Sequence, residues 1–289
     1  MLWLKIIRPQ TLFASLCPVI VALVMSMAHN AQFTMHSWMV AICTALCALG
    51  LQILSNLIND YYDFVRGLDQ KGRVGFKRAL AEGLVTVQQM RLACIITLLI
   101  CIGLGLYLVL QGGWVILGIG LTAILFAWLY TATNHSLSYL GIADIFVFLY
   151  YGVIAGFGTM WLQDPVWNPS PLYTRVIAAT GVNGLISMCV LITNNLRDID
   201  SDRQAGKRTF PVRFGKRAGE IGMLVIVLLM PLLAWIGFRH WLPLFVVFPA
   251  LALYIKLTRA QGREYNKCLL YAGLINVWYT ILVIITVLL

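Results

Sequence analysis

Residues 37–60 read SWMVAICTALCALGLQILSNLIND. No side chain before Asp60 in this stretch carries a formal charge, and no proline interrupts it. As a helix rising about 1.5 Å per residue it covers about 36 Å, more than the roughly 30 Å of hydrocarbon in a bilayer. Apolar and polar residues do not alternate along it, as they would in the strand of a membrane barrel. A helix satisfies its own backbone polar groups and is the form expected in lipid. The stretch therefore reads as a membrane-crossing helix with an amide- and acid-bearing tip at Asn56, Asn59 and Asp60.

Comparable runs lie on both sides of it, at 11–28, 87–110, 112–131, 139–161, 173–196, 218–238, 241–257 and 267–289. The whole chain is 61% hydrophobic and only 11% charged, against roughly 25% charged in soluble domains. Too few polar side chains exist to cover a water-facing surface, which excludes a soluble globular protein. The expectation is an all-α integral membrane protein of nine transmembrane helices in a single bundle. No linker divides it, so residues 1–289 form one domain. The first run follows Lys5 and Arg8 but contains Pro18, is rather long and shows no clear small-residue cleavage site, so it reads as a retained helix and not a signal peptide.

The formal net charge is +10, yet its distribution points to a lipid surface and away from nucleic acid. With nine crossings, all of the 21 Lys and Arg residues except Arg175 and Arg239 fall on one side. By the positive-inside rule that side is cytoplasmic, with the N-terminus in and the C-terminus out, in a cell (inner) membrane. The seven cysteines all lie in apolar runs without zinc-ligand spacing and read as small packing residues.

Two inner loops, about 61–86 and 197–217, are long and polar. The helices entering them end alike, in Asn56-Leu57-Ile58-Asn59-Asp60 and in Asn194-Asn195-Leu196-Arg197-Asp198. That likeness implies two pseudo-repeated four-helix halves plus a ninth helix, related about the membrane normal. Six of the eleven acids cluster there: Asp60, Asp63 and Asp69, and Asp198, Asp200 and Asp202. Asp60 and Asp63 are i, i+3 neighbours, and Asp198 and Asp202 are i, i+4 neighbours, so each pair shows two carboxylates on one helix face. Such a pair repels itself unless a cation sits between its members. Mg2+ fits, because it takes hard oxygen ligands and completes its shell with water and substrate phosphates. Asp60, Asp63, Asp198 and Asp202 are the expected metal ligands, and Asn56, Asn59, Asn194 and Asn195 the expected substrate-binding or water-holding amides. The plainer reading has these residues capping helices and pairing with lysines. Arg78, Lys71 and Lys207 beside the acids add the cationic half of a diphosphate receptor.

These segments resemble the UbiA superfamily of membrane prenyltransferases. Asn59-Asp60-Tyr61-Tyr62-Asp63 and Asp198-Ile199-Asp200-Ser201-Asp202 resemble its two aspartate-rich motifs. Four stretches resemble the 1,4-dihydroxy-2-naphthoate prenyltransferase branch: Arg8–Thr11, Leu51–Asp69, Tyr139–Phe148 and Asn194–Gly215. The chain departs from the pattern at Gln10, Gly67 and Ala143, none of which is an expected metal ligand.

The resemblance implies a magnesium-dependent enzyme of menaquinone biosynthesis. Two Mg2+ ions would bridge the diphosphate of a prenyl diphosphate at a site facing the cytoplasm. The polyprenyl group would pass to 1,4-dihydroxy-2-naphthoate with loss of carbon dioxide, giving demethylmenaquinol. A prenyl diphosphate, an aromatic acceptor and the bilayer are the expected partners, with no nucleic acid and no protein partner. Arg8 is the candidate to hold the acceptor's carboxylate. Tyr61, Tyr62, Tyr130, Tyr139 and Phe146 offer ring faces to an allylic cation or belong to the interfacial belt. Asp144, a carboxylate inside a helix, orients or deprotonates the acceptor or pairs with a basic group. Another aromatic acceptor such as 4-hydroxybenzoate remains open, as does, remotely, a secondary transporter.

Overall fold

The structure, a computed structural model, describes residues 2–29, 33–67, 78–130, 137–164 and 171–289. Among these residues it is all-helical, with no strand. Among the described residues, eight helices are long and apolar enough to cross a membrane: α1 Pro9–His29, α2 Met35–Val65, α3 Val87–Leu129, α4 Ala143–Gln163, α5 Pro171–Arg197, α6 Lys216–Phe238, α7 Leu242–Arg259 and α8 Glu264–Leu288.

Nine runs were expected, and the difference lies in α3. The run at 87–110 and the run starting at 112, as far as Leu129, fall in this one 43-residue element. Straight, it would be about 65 Å long, twice a hydrocarbon core. It is not straight. Gly113 has φ 64° and ψ −150°, a backbone state that β-carbon sterics deny to other residues. Near the start of α3, Arg91 donates to the Tyr61 hydroxyl at 3.0 Å. Near its end, the Trp128 ring lies 6.0 Å from that of Tyr62. Midway, Gln111 meets His36, at the opposite end of α2, at 3.1 Å. Both ends of α3 therefore touch neighbouring residues at one end of α2, and its middle touches the other end. The element is a helical hairpin bent at Gly113, and the Trp161 indole clamps the bend by donating to the Gly112 carbonyl at 2.9 Å.

Local signals account for the other boundaries. Thr86 and Gln89 form a reciprocal capping box at the start of α3. Thr34 caps α2, which runs past its expected end at Asp60 to Val65, so that Asp63 stays on the helix. α4 contains a π-helical turn, Leu149–Ile154. There it meets α5 backbone to backbone, a β-carbon on Gly152 lying 2.9 Å from the Gly184 Cα, and just beyond it a β-carbon on Gly156 would lie 2.0 Å from the Thr180 hydroxyl.

α5 is the buried centre of the bundle. Val176, Ala179, Val182 and Ile186 are fully buried, packed with Val21 and Ala22 of α1, Met223 and Val227 of α6, and Ala272 and Tyr279 of α8. The helix is buried on every side, and its polar side chains are satisfied there: Thr180 and Thr193 donate to carbonyls one turn back, and Asn183 donates to Asn276 Oδ1 at 2.7 Å. Around it, large apolar side chains such as Leu110, Trp114, Leu121 and Phe248 project outward, as a lipid-facing surface requires.

Candidate active site

α2 and α5 bring their acid-bearing ends to the same place. A polar cavity of about 100 Å3 is lined by Asn59 and Asp63 from α2, and by Asn194, Asn195 and Arg197 from α5. Asp198 caps the short helix Ile199–Gln204, which supplies Asp202, and Lys207 follows in the next turn. Thus the second acid pair sits across a break after α5, whereas the first rides on a continuous helix. The Asp202 amide still donates to the Asp198 carbonyl oxygen at 2.8 Å, so the two acids remain one turn apart.

All four carboxylates are less than a tenth exposed, and each has a cation of its own. Arg8 pairs with Asp60. Arg78 lies 2.7 Å from Asp63 and 3.6 Å from Asp60. Arg197 grips Asp198 with two bonds, Nε to Oδ1 at 2.8 Å and Nη2 to Oδ2 at 2.7 Å. Lys207 lies 3.3 Å from Asp202. Buried charge of either sign is tolerable only when matched in this way. Arg197 was not singled out in the sequence. Its side chain is 5% exposed, and its third bond, 2.8 Å to Asn266 Oδ1, ties the second acid pair to the start of α8.

A second, larger cavity of about 460 Å3 is mainly apolar and is walled by α1, α2, the two arms of α3, α4, α5 and α8. Arg8, Asn59, Tyr130, Leu191 and Asn194 line both cavities, so the polar one caps the apolar one. Close to that junction, Phe126 packs 4.4 Å from Phe146 and 5.1 Å from Tyr150, ring centre to ring centre.

Other expected site residues lie away from the polar cavity. Asn56 lines the larger cavity, but its amide nitrogen donates to the Ile7 carbonyl and to Thr11, both at 3.0 Å, and so braces the N-terminal turn. That turn holds Arg8 in the left-handed region, φ 54°, just before Pro9. Tyr139 lies under the Arg66 guanidinium, 5.9 Å from ring centre to Cζ, and not among the residues lining either cavity. Tyr61 and Tyr62 are engaged by Arg91 and Trp128. Asp144 lines neither cavity, and its Oδ1 is buried without a hydrogen-bond partner. Lys71, Asp69, Arg73, Lys77 and His135 lie outside the described residues.

The sequence profile of the UbiA prenyltransferase family matches residues 15–288. The chain belongs to that family. Its relatives include the 1,4-dihydroxy-2-naphthoate octaprenyltransferase of Escherichia coli, 36% identical over 280 residues, which cover 91% of this chain and 85% of the relative. The enzyme of the same description from Mycobacterium tuberculosis is 32% identical over 219 residues, 74% of this chain and 70% of the relative. Among solved structures, a UbiA homolog from Archaeoglobus fulgidus bound to DMAPP and Mg2+ superposes with a TM-score of 0.64 at 18% identity, over 99% of both chains. The same homolog bound to GPP and Mg2+ gives 0.65 at 18% identity, over the full length of both. At that identity the likeness shows the UbiA fold.

The donors in this UbiA-family site suit a hard cation. Asp63, Asp198 and Asp202 line the polar cavity, Asp60 stands behind it paired with Arg8, and Asn59 Oδ1 on the cavity wall is buried without a hydrogen-bond partner. Oxygen donors alone are the preference of Mg2+. Among the described residues no three His, Cys, Asp or Glu side chains are already gathered into a ligand set. Each carboxylate is engaged by a cation, Arg78 reaching both Asp60 and Asp63, and phosphate oxygens and water would complete the coordination shell of a bound Mg2+.

Proposed function

We propose that this protein transfers a polyprenyl group from a prenyl diphosphate to 1,4-dihydroxy-2-naphthoate, with loss of carbon dioxide, in menaquinone biosynthesis. One observation carries the reading. Two acid-bearing helix ends and four basic side chains meet in a polar cavity that opens onto a long apolar one. That is the shape and charge pattern of a molecule with an anionic head and a hydrocarbon tail. The naphthoate acceptor is supported by the E. coli, M. tuberculosis and other bacterial relatives described as 1,4-dihydroxy-2-naphthoate octaprenyltransferases.

The diphosphate lies between Asp60 and Asp63 on one side and Asp198 and Asp202 on the other, at the cytoplasmic face. These four acids would hold Mg2+, which would supply positive charge for the departing diphosphate; a homolog solved with Mg2+ and DMAPP supports this. Arg78 and Lys207 exchange a carboxylate partner for diphosphate oxygens and neutralise charge where it develops. The bond between the prenyl C1 and its oxygen breaks, and the electron pair leaves on the diphosphate. The allylic cation so formed sits at the junction of the cavities, beside Tyr130 and the Phe126–Phe146 pair, where excluded water cannot trap it as an alcohol. The ring carbon bearing the carboxylate bonds to C1. Carbon dioxide then departs, and its bonding electrons restore the aromatic ring. Arg8, at the mouth of both cavities, holds the acceptor carboxylate until that step.

The test uses purified protein in lipid nanodiscs, a prenyl diphosphate and 1,4-dihydroxy-2-naphthoate, with product identified by mass spectrometry. The expected result is a prenylated naphthoquinol, with one carbon dioxide and one diphosphate released per turnover, and only with Mg2+ present. Product from 4-hydroxybenzoate and none from the naphthoate would replace the acceptor assignment. No transfer to either would remove the reaction.

A further inference from the structure

Above the acid tip of α2, a hydrogen-bond network runs along the wall of the larger cavity, and its direction is fixed. Thr11 donates its hydroxyl hydrogen to the Arg8 carbonyl oxygen at 2.9 Å. The lone pairs of Thr11 Oγ1 therefore accept, and Asn56 donates to them at 3.0 Å while also donating to the Ile7 carbonyl at 3.0 Å. With its nitrogen so occupied, Asn56 turns its Oδ1 toward Gln52. Gln52 Nε2 then donates to Asn56 Oδ1 and to Thr11 Oγ1, each at 3.4 Å. Main-chain carbonyls only accept, so the sense of this chain cannot be reversed by flipping an amide. What remains at its far end is an acceptor. Gln52 Oε1 is buried without a partner, in a residue that is 7% exposed and lines the cavity.

An unpaired buried acceptor is costly and calls for a donor. The cavity receives three kinds of chemistry. The prenyl tail is hydrocarbon, and the diphosphate and carboxylate carry oxygens that accept. Only a ring hydroxyl donates. Gln52, Asn56 and Asp60 follow at intervals of four and so share a face of α2, with Gln52 about 12 Å along the axis from Asp60. That separation leaves room for the allylic unit between the diphosphate and an aromatic ring. The two bonds that Gln52 makes are long, so its carboxamide can turn toward an arriving donor.

We propose that Gln52 Oε1 accepts a hydrogen bond from a ring hydroxyl of the aromatic acceptor, which makes Gln52 a specificity-determining residue of the acceptor subsite. The assignment rests on the naphthoate reading above. It separates the acceptor subsite from the diphosphate site, with the Thr11–Asn56 bridge holding Arg8 between them.

The experiment compares wild type with Gln52→Met, which keeps side-chain length and removes the amide. Steady-state kinetics give KM for the diol substrate, the dihydroxynaphthoate. Inhibition constants are measured beside it for two analogues, 1-hydroxy-2-naphthoate and 4-hydroxy-2-naphthoate, each lacking one hydroxyl. The expected result is a rise of about tenfold in KM for the diol. The inhibition constant of the analogue lacking the bonded hydroxyl stays unchanged. KM for the prenyl diphosphate also stays unchanged, which reports an intact fold. Gln52→Glu retains an oxygen at this position and is expected to keep the discrimination between the analogues. Equal weakening of all three rings, or of none, overturns the proposal. If wild type makes no product from the diol, the naphthoate reading fails by itself. Gln52 is then tested with 4-hydroxybenzoate against benzoate, where equal binding of both by wild type overturns it.

Discussion

Gly141, in the stretch Tyr139–Phe148, packs against the loop that carries Lys207, and substituting it shows how tightly the site depends on that contact. Gly141 has φ 75°, and a β-carbon built on it lies 2.2 Å from the Arg208 carbonyl oxygen. An ordinary carbon–oxygen contact is about 1 Å longer, so in Gly141→Ala the Arg208 backbone must retreat by roughly that much. Lys207, its neighbour, is the group 3.3 Å from Asp202. A misplacement of about 1 Å near reacting groups costs about 100-fold in rate. The positive φ itself adds about 1–2 kcal/mol of strain for alanine. Gly262→Ala isolates this second effect, because Gly262 also has positive φ, 50°, but no atom within 4 Å of the added carbon. Steady-state turnover with saturating prenyl diphosphate and acceptor is the assay, with thermal unfolding in detergent as its control. Gly141→Ala is expected to lose about 100-fold in kcat, while Gly262→Ala keeps kcat and loses only stability. Near-wild-type turnover in Gly141→Ala would refute the view that this turn positions Lys207.

Asp60→Asn and Asp198→Asn should each abolish turnover, by at least about 1000-fold, with unchanged size-exclusion profiles; retention of most activity in either would remove that acid from the site. Arg197→Ala strips the two-bond partner from a buried carboxylate and should cost about 3–5 kcal/mol of stability, about 10 °C in a thiol-dye melt. The double variant Arg197→Ala with Asp198→Asn should recover most of that loss without recovering activity, and a melt unchanged in the single variant would show that the pair is not buried. Chelating divalent cations should stop turnover without lowering the affinity for the acceptor, and Mg2+ should restore it, as read by product formation and acceptor binding in parallel.

Much of this architecture is legible in the sequence because hydrophobic burial in lipid needs long uniform runs, and such runs are visible residue by residue. The eye divides residues 87–131 where the chain bends. The structure keeps them in one element because Gly113 alone makes the bend. The meeting of the two acid-bearing helix ends was also legible, since carboxylates at the end of an apolar helix have few uses. The way those carboxylates are neutralised was not. Arg8 lies 52 positions from Asp60, and Asn266 lies 69 from Arg197, and no local pattern encodes such pairings. Arg197 adjoins Asp198 in sequence, and an arginine between an apolar helix and an aspartate was a signal open to reading. Asn56 reads as a substrate-binding or water-holding amide because it repeats Asn194. Its amide nitrogen also secures the Arg8 turn, a bond set by packing of α1 against α2 and invisible in the sequence. Tyr139 belongs to a site-like motif, yet it stacks under Arg66.

The central claim is that both helix ends hold one diphosphate through shared metal. Mn2+ in place of Mg2+, bound with the unreactive thiolo analogue of geranyl diphosphate, makes this directly measurable by pulsed electron paramagnetic resonance. Wild type is expected to show phosphorus hyperfine coupling to the bound ion, and Asp60→Asn and Asp198→Asn should each weaken or abolish it. Full coupling that survives loss of the acids from one helix end would contradict the account.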